Sequence, residues 1–241
     1  MKIIAIHQPN FLPWIGFFHK IFQADEFIYL TNVEYSATNF QNKTFIYGMD
    51  KTPLRLTVPL KKKPSLLSEK VINMAPPNHK WKEKHLTQFR DIYKRAPYFN
   101  EIYQMLETVY QENHELLVTL NIAFINKMLT YLNYEGIITF AEDISEIVGK
   151  TDRLVDLVAK ESGSIYLSGK SGANYLNEAA FEEKDISVAY QTFIHPTYQA
   201  KFSEDCLENL SMIDWMMYEC PETIKAFLVE RKSSNKFLEN I

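Results

Sequence analysis

Residues 3–30, "IIAIHQPNFLPWIGFFHKIFQADEFIYL", constrain the fold more than any other stretch. The run Ile3, Ile4, Ala5, Ile6 is short, apolar and without polar alternation, which predicts a strand buried on both faces, as in a parallel sheet. From residue 14 to 24 the period changes, because Trp14, Phe17, Phe18, Ile21 and Phe22 fall at helical intervals. "DEFIYL" at 25–30 then supplies a second buried strand. Strand, loop, helix and strand in this order predict a βαβ unit with parallel strands, since a crossover helix must join them.

Downstream, "PLRLTVPL" at 53–60 alternates Leu54, Leu56, Val58 and Leu60 between prolines, the pattern of an edge strand in a small hairpin. A β-rich flap is therefore expected at about 31–60. Between about 78 and 133 the apolar residues recur at helical spacing in three blocks, broken at "RAPYF" and "QENH", which predicts a helical insertion. The βαβ rhythm resumes with "GIITF" at 136–140, "SIYLSG" at 164–169 and "ISVAY" at 186–190, separated by helical patterns at about 151–160 and 171–180. Two further helices, in "LENLSMIDWMMYE" and "ETIKAFLVER", close the chain. The expected architecture is one α/β domain over 1–241, a parallel Rossmann-like sheet with a mostly helical insertion.

Composition narrows the function classes. A net charge of −4 argues against a dedicated nucleic-acid binder, and the only dense basic run, Lys61 to Lys63, reads as a solvated loop. Cys206 and Cys220 are too few for a disulfide scaffold or a cysteine zinc site, and they suit a reducing cytoplasm. "MKIIAIHQ" is interrupted too soon for a signal peptide, and no apolar run reaches membrane-spanning length. A soluble cytoplasmic protein without nucleic-acid or membrane partners is expected. The six histidines lack metal-ligand spacing, so no protein-bound metal is expected.

In an open parallel sheet, ligands bind beyond the carboxyl ends of the strands. His7 and Gln8 stand there after the first strand. Pro13 is expected in the first helical turn, and Gly16 is expected to let a ligand approach the helix start. "GKS" at 169–171 and "GKT" at 149–151 lack the first glycine of a phosphate loop. "LSGKSGANYL" nevertheless places Ser168, Gly169, Lys170, Ser171 and Gly172 between a strand and a helix. Backbone N–H groups there could form an anion nest, with Gly169 at φ > 0; the competing reading is a turn with Ser171 as helix cap. Loop residues Asn32, Glu34, Tyr35, Asn42 and Lys43 follow the second strand and are expected to share the cleft of His7.

"HQPNFLPWIGFFHKI", "ADEFIYLTNVEYS", "FQNK", "KRAPYF", "SGSIYLSGKSGANYL" and "HPTYQAKF" together resemble the WbqC-like family along the whole chain. His7, Gln8, Pro9, Pro13, Trp14, Gly16, Asn42, Ser168, Gly169 and Tyr175 match its pattern, whereas Thr31, Glu34, Thr38, Asn39 and Lys43 depart from it. The resemblance implies surface polysaccharide or O-antigen sugar modification, in some members amino-acid transfer. A looser likeness, carried by His7 and Ala24-Asp25, is to nucleotidyl-transfer enzymes of the HIGH type and implies a HUP-like sheet.

The expected activity is acyl or aminoacyl transfer to a nucleotide-linked amino sugar. The cofactor stays open between a nucleotide and an activated acyl donor. His7, at an ordinary pKa near 6.5, would act as general acid or base or stabilise developing charge. Gln8 would assist it. Trp14, Tyr35, Asn42, Lys43, the segment Ser168 to Gly172 and Tyr175 would bind substrate. The rival is a non-catalytic carbohydrate- or partner-binding protein with Trp14, Tyr35 and Trp81 as a stacking surface.

Overall fold

The computed structural model describes residues 1–145, 151–198 and 209–230. The first part of the chain forms β1 (Ile3–His7), α1 (Ile15–Gln23), β2 (Glu26–Tyr29), β3 (Lys43–Tyr47) and β4 (Pro53–Thr57). Three long helices follow, α2 (Trp81–Tyr93), α3 (Phe99–Gln111) and α4 (Leu117–Tyr131). Then come β5 (Ile137–Phe140), α5 (Ala141–Ile144), α6 (Thr151–Lys160), β6 (Ile165–Ser168), α7 (Ala179–Glu182), β7 (Ser187–Tyr190), α8 (Met212–Met216) and α9 (Pro221–Val229).

Five strands make one sheet in the order β5-β2-β1-β6-β7, and every neighbouring pair is parallel. This is an α/β, Rossmann-like arrangement. Alternate side chains face opposite layers. Ala5, Phe27, Tyr29, Ile165 and Leu167 pack against a large core that includes residues of α1, α4, α8 and α9. Ile4, Ile6, Ile28 and Tyr166 face Leu154, Leu157 and Val158 of α6 and Phe181 of α7, with the Tyr166 and Phe181 rings stacked at 5.1 Å. Burial on both faces explains why these strands read as continuous apolar runs.

The flap is a two-stranded antiparallel hairpin, pairing Lys43 with Thr57 and Tyr47 with Pro53. Its second strand ends at Thr57; Val58 N–H still donates to the Asn42 carbonyl just before the first strand (2.8 Å), and beyond it the Pro59 carbonyl accepts from Asn73 N–H of another segment (2.8 Å). Two of the three long helices, α2 and α4, press on the loop that leaves β1. Phe11 meets Phe124 of α4 and His85 of α2, each at 5.8 Å between ring centroids. Asn121 of α4 donates to the carbonyls of Pro9 (2.9 Å) and Gln41 (2.7 Å), clamping that loop to the flap.

Two helical expectations change. In place of a helix over 171–180 there is a 3-10 turn, Lys170–Asn174, and then the single turn of α7. Gly172, Asn174 and Asn177 are poor helix formers, and the stretch has too few apolar residues to recover the difference by packing. Near the carboxyl terminus α8 begins only at Met212, where the Ser211 hydroxyl accepts from Ile213 N–H (3.3 Å); residues 207–208 lie outside the described ones.

Candidate functional site

From β1 the chain proceeds outward to β2 and β5 on one side, whereas β6 and β7 lie on the other. The order therefore reverses between β1 and β6. α1, which follows β1, and α7, which follows β6, belong to opposite layers, so the carboxyl ends of these two strands are the place where an open parallel sheet is expected to form a crevice. β1 ends at His7 and β6 at Ser168. His7 and Gln8 are thus brought beside Ser168 and Gly169 from the far side of the sequence.

The corner after β1 is pinned at nearly every residue. Phe11 N–H donates to the Phe40 carbonyl (3.1 Å), and Met212 N–H to the Pro13 carbonyl (2.8 Å). Leu12, fully buried, has φ 40°, an uncommon conformation for a residue with a side chain. Its carbonyl accepts from the hydroxyls of Thr44 and Ser211, both at 2.8 Å. Pro13 lies before the helix, not in its first turn, since Trp14 is the residue that precedes Ile15 and pairs with Ser211 in a short bridge.

Gly16 does not leave room for a ligand. A Cβ there would lie 2.2 Å from the Trp14 indole, which folds back over the helix start and meets Phe193 edge-on at 5.2 Å. Gly16→Ala is expected to displace that indole and cost about 1–3 kcal/mol. Tryptophan fluorescence with denaturant titration checks this, and an unchanged spectrum at unchanged stability would refute the steric reading.

His7 faces α1. Its Nδ1–H donates to the Gln8 carbonyl (2.8 Å), which leaves Nε2 as the lone-pair nitrogen, and its ring meets Phe17 edge-on at 5.2 Å. Beside it stands Lys20 of α1, 3% exposed, whose Nζ donates to the Ile6 carbonyl (2.9 Å); no carboxylate pairs with it among the described residues. Burial pushes the Lys20 pKa down to about 7. Burial and the neighbouring Lys20 charge together lower that of His7 to about 4. The expected titration near 6.5 is therefore corrected: His7 is neutral at pH 7, with Nε2 free of a proton, and unsuited to act as a cation.

Gln8 is half-buried, and its Oε1 accepts from Gln41 Nε2 at 2.6 Å. Beyond β7, Gln191 Nε2 donates to the Gly16 carbonyl (2.8 Å) and to His19 Nδ1 (2.9 Å). Among the β6 residues, Ser168 is 1% exposed, whereas Lys170, Ser171 and Tyr175 are exposed. Gly169 has φ −68°, so the expected left-handed conformation is absent; a Cβ there would meet nothing within 4 Å. Gly172 is the glycine that space requires, because a Cβ would lie 2.0 Å from Ser168 Oγ. Ser171 makes no side-chain cap, since the residue preceding the 3-10 turn is Gly169.

The flap residues do not join His7. Asn42 is 9% exposed and its amide is engaged at both ends, with Oδ1 accepting from Tyr35 Oη and Nδ2 donating to the Val58 carbonyl, each at 2.9 Å. Lys43 Nζ donates to the Ala37 carbonyl (2.8 Å). Asn32 serves α6, receiving Arg153 on its carbonyl at 2.8 Å. Sequence reasoning missed Lys20, Gln41 and Gln191. For Lys20 the available signal was its place on the apolar side of an otherwise aromatic helix.

The parallel sheet, its reversed strand order and the histidine corner at the reversal define a Rossmann-like α/β protein with a candidate small-molecule site. The WbqC-like protein family matches over residues 8–226, and the chain belongs to that family. It is similar to the uncharacterized protein Rv1507c of Mycobacterium tuberculosis, 31% identical over 194 residues that cover 79% of this chain and 82% of the relative. No solved structure matches the chain. Among the described residues no helix is long and apolar enough to cross a membrane, and no three His, Cys, Asp or Glu side chains gather as a metal site.

Proposed function

We propose that the chain is an enzyme of surface polysaccharide or O-antigen sugar modification that transfers an acyl or aminoacyl group to a nucleotide-linked amino sugar. The observation that carries this reading is the meeting of His7 and Gln8 with Ser168 and Gly169 at the strand-order reversal, where small-molecule sites of parallel sheets form. The acceptor amine attacks the donor carbonyl, the carbon–nitrogen bond forms as the donor's leaving group departs, and His7 Nε2 takes the amine proton. The side-chain NH2 of Gln8, whose oxygen is held by Gln41, is a donor for the developing oxyanion. The open side of Gly169 admits the donor.

Incubating the protein with nucleotide-linked amino sugars and acyl or aminoacyl donors, and weighing the products by mass spectrometry, tests the reaction. His7→Gln should lower the rate by about 10²–10⁴ while substrate binding persists. Unaltered turnover in that variant would remove His7 from the chemistry. Binding of sugars without any product would favour a carbohydrate-binding role.

A further inference from the structure

A second concavity lies on the flap. Tyr35, Asn42, the segment from Thr57 to Lys62, Ser65 and Lys70 enclose about 490 Å³, and none of the residues flanking the crevice lines it. That volume is in the range of small-molecule pockets. Its walls are fixed by bonds between the segments that form them. Tyr35 N–H donates to the Ser65 carbonyl (2.8 Å), Val58 N–H to the Asn42 carbonyl (2.8 Å), and Lys61 N–H to the Val71 carbonyl (2.9 Å). A cavity built this way needs little ordering when it is filled.

Its charge is one-sided. Three of the lining residues are lysines and none is acidic. Lys61 and Lys62 are exposed, whereas Lys70 is 4% exposed and its Nζ donates to the carbonyls of Lys62 (2.7 Å) and Pro64 (2.9 Å), 4.9 Å from the centre of the Tyr35 ring. Carbonyl dipoles and a ring face hold an ammonium without cancelling its charge. Two residues of the basic run, Lys61 and Lys62, thus join the buried Lys70 around this concavity, and no carboxylate lines it with them. We propose that this pocket binds the phosphoryl group of a phosphorylated sugar or nucleotide. The volume leaves room for the attached ring as well as the anion. The assignment goes beyond the transfer reaction and does not depend on it.

Calorimetric titration of the full chain with inorganic pyrophosphate, uridine diphosphate, glucose 1-phosphate, uridine and glucose tests the proposal. The phosphorylated probes should bind, more weakly as salt rises, and the two neutral ones should bind at least about tenfold less tightly. Whichever of uridine diphosphate and glucose 1-phosphate binds tighter identifies the ligand as nucleotide or sugar phosphate. Lys61→Ala with Lys62→Ala, both exposed positions, should weaken phosphate binding about tenfold with little change in melting temperature, the order expected of two screened charge pairs. Lys70→Met should weaken it further, and if that variant unfolds the double variant carries the test. No binding of any phosphorylated probe, equal affinity for uridine and its diphosphate, or wild-type affinity in the double variant would overturn the assignment. So would loss of pyrophosphate binding in His7→Gln, which would put the anion in the crevice. A failed transfer assay leaves these titrations unaffected.

Discussion

Lys20→Met should make the fold more stable at pH 7 and raise the pKa of His7. The buried ammonium has one carbonyl partner and no carboxylate, and its pKa falls from 10.5 to about 7. That depression is worth on the order of 4 kcal/mol. Methionine fills similar volume without charge, and after allowance for the lost bond to the Ile6 carbonyl a net gain of about 2 kcal/mol is expected. The sign with pH follows from proton binding. Between pH 7 and 10.5 the unfolded chain holds the Lys20 proton that the folded chain has released, so wild-type stability rises across this window. The gap between wild type and variant should therefore close as pH approaches 10.5. His7, relieved of a neighbouring positive charge, should titrate higher. Denaturant melts at pH 7 and 10 and NMR titration of the His7 ring provide both readings, and a variant less stable than wild type at pH 7 would refute the account.

Acid should begin to unfold the protein below pH 6.5, before most carboxylates titrate, and the loss should continue to about pH 4. His7, His19 and His85 all have their pKa lowered to about 4, chiefly by burial. Each is neutral in the fold, so below pH 6.5 the unfolded chain takes protons first and stability falls until about pH 4. Buried His85 is worth on the order of 3 kcal/mol, and half-buried His7 and His19 less each. Their sum is comparable to the whole stability of a typical domain. His19 adds a geometric reason, since its Nδ1 accepts from Gln191 and a protonated ring cannot. Asp214 works in the opposite direction. It is fully buried between the hydroxyls of Tyr93 and Tyr198, and burial raises its pKa, so its contribution grows as pH falls. One carboxyl does not offset three imidazoles. Circular dichroism against pH should show a cooperative loss that His85→Phe moves to lower pH, and a fold intact at pH 4 would exclude the mechanism.

The sheet was legible because strands buried on both faces leave uninterrupted apolar runs, as Ile3 to Ile6 and "SIYLS" do. His7 was legible as a polar residue ending such a run. Its neighbours were not. Lys20 is one charged letter in a helix, and only the packing of α1 against β1 reveals that it points inward. Gln41 reaches Gln8 across 33 positions, and the end of β6 comes beside the end of β1 by strand pairing, neither of which leaves a local pattern. Asn42 was expected beside His7, but its amide is engaged by Tyr35 and Val58 and it lines the concavity on the flap instead. The over-long helix at 171–180 came from extending a period through Gly172, which Ser168 leaves no room to replace.

The Leu12 carbonyl, shared by the hydroxyls of Thr44 and Ser211, has a bearing on synthesis. A ribosome delivers residue 12 long before residue 211. β1, α1 and β2 come out together, but the strained corner beside His7 lacks one of its two hydroxyl partners until residue 211 has followed. The nascent protein thus acquires its sheet before its site, and premature termination upstream of Ser211 yields a chain whose corner is unfinished however well its strands have paired.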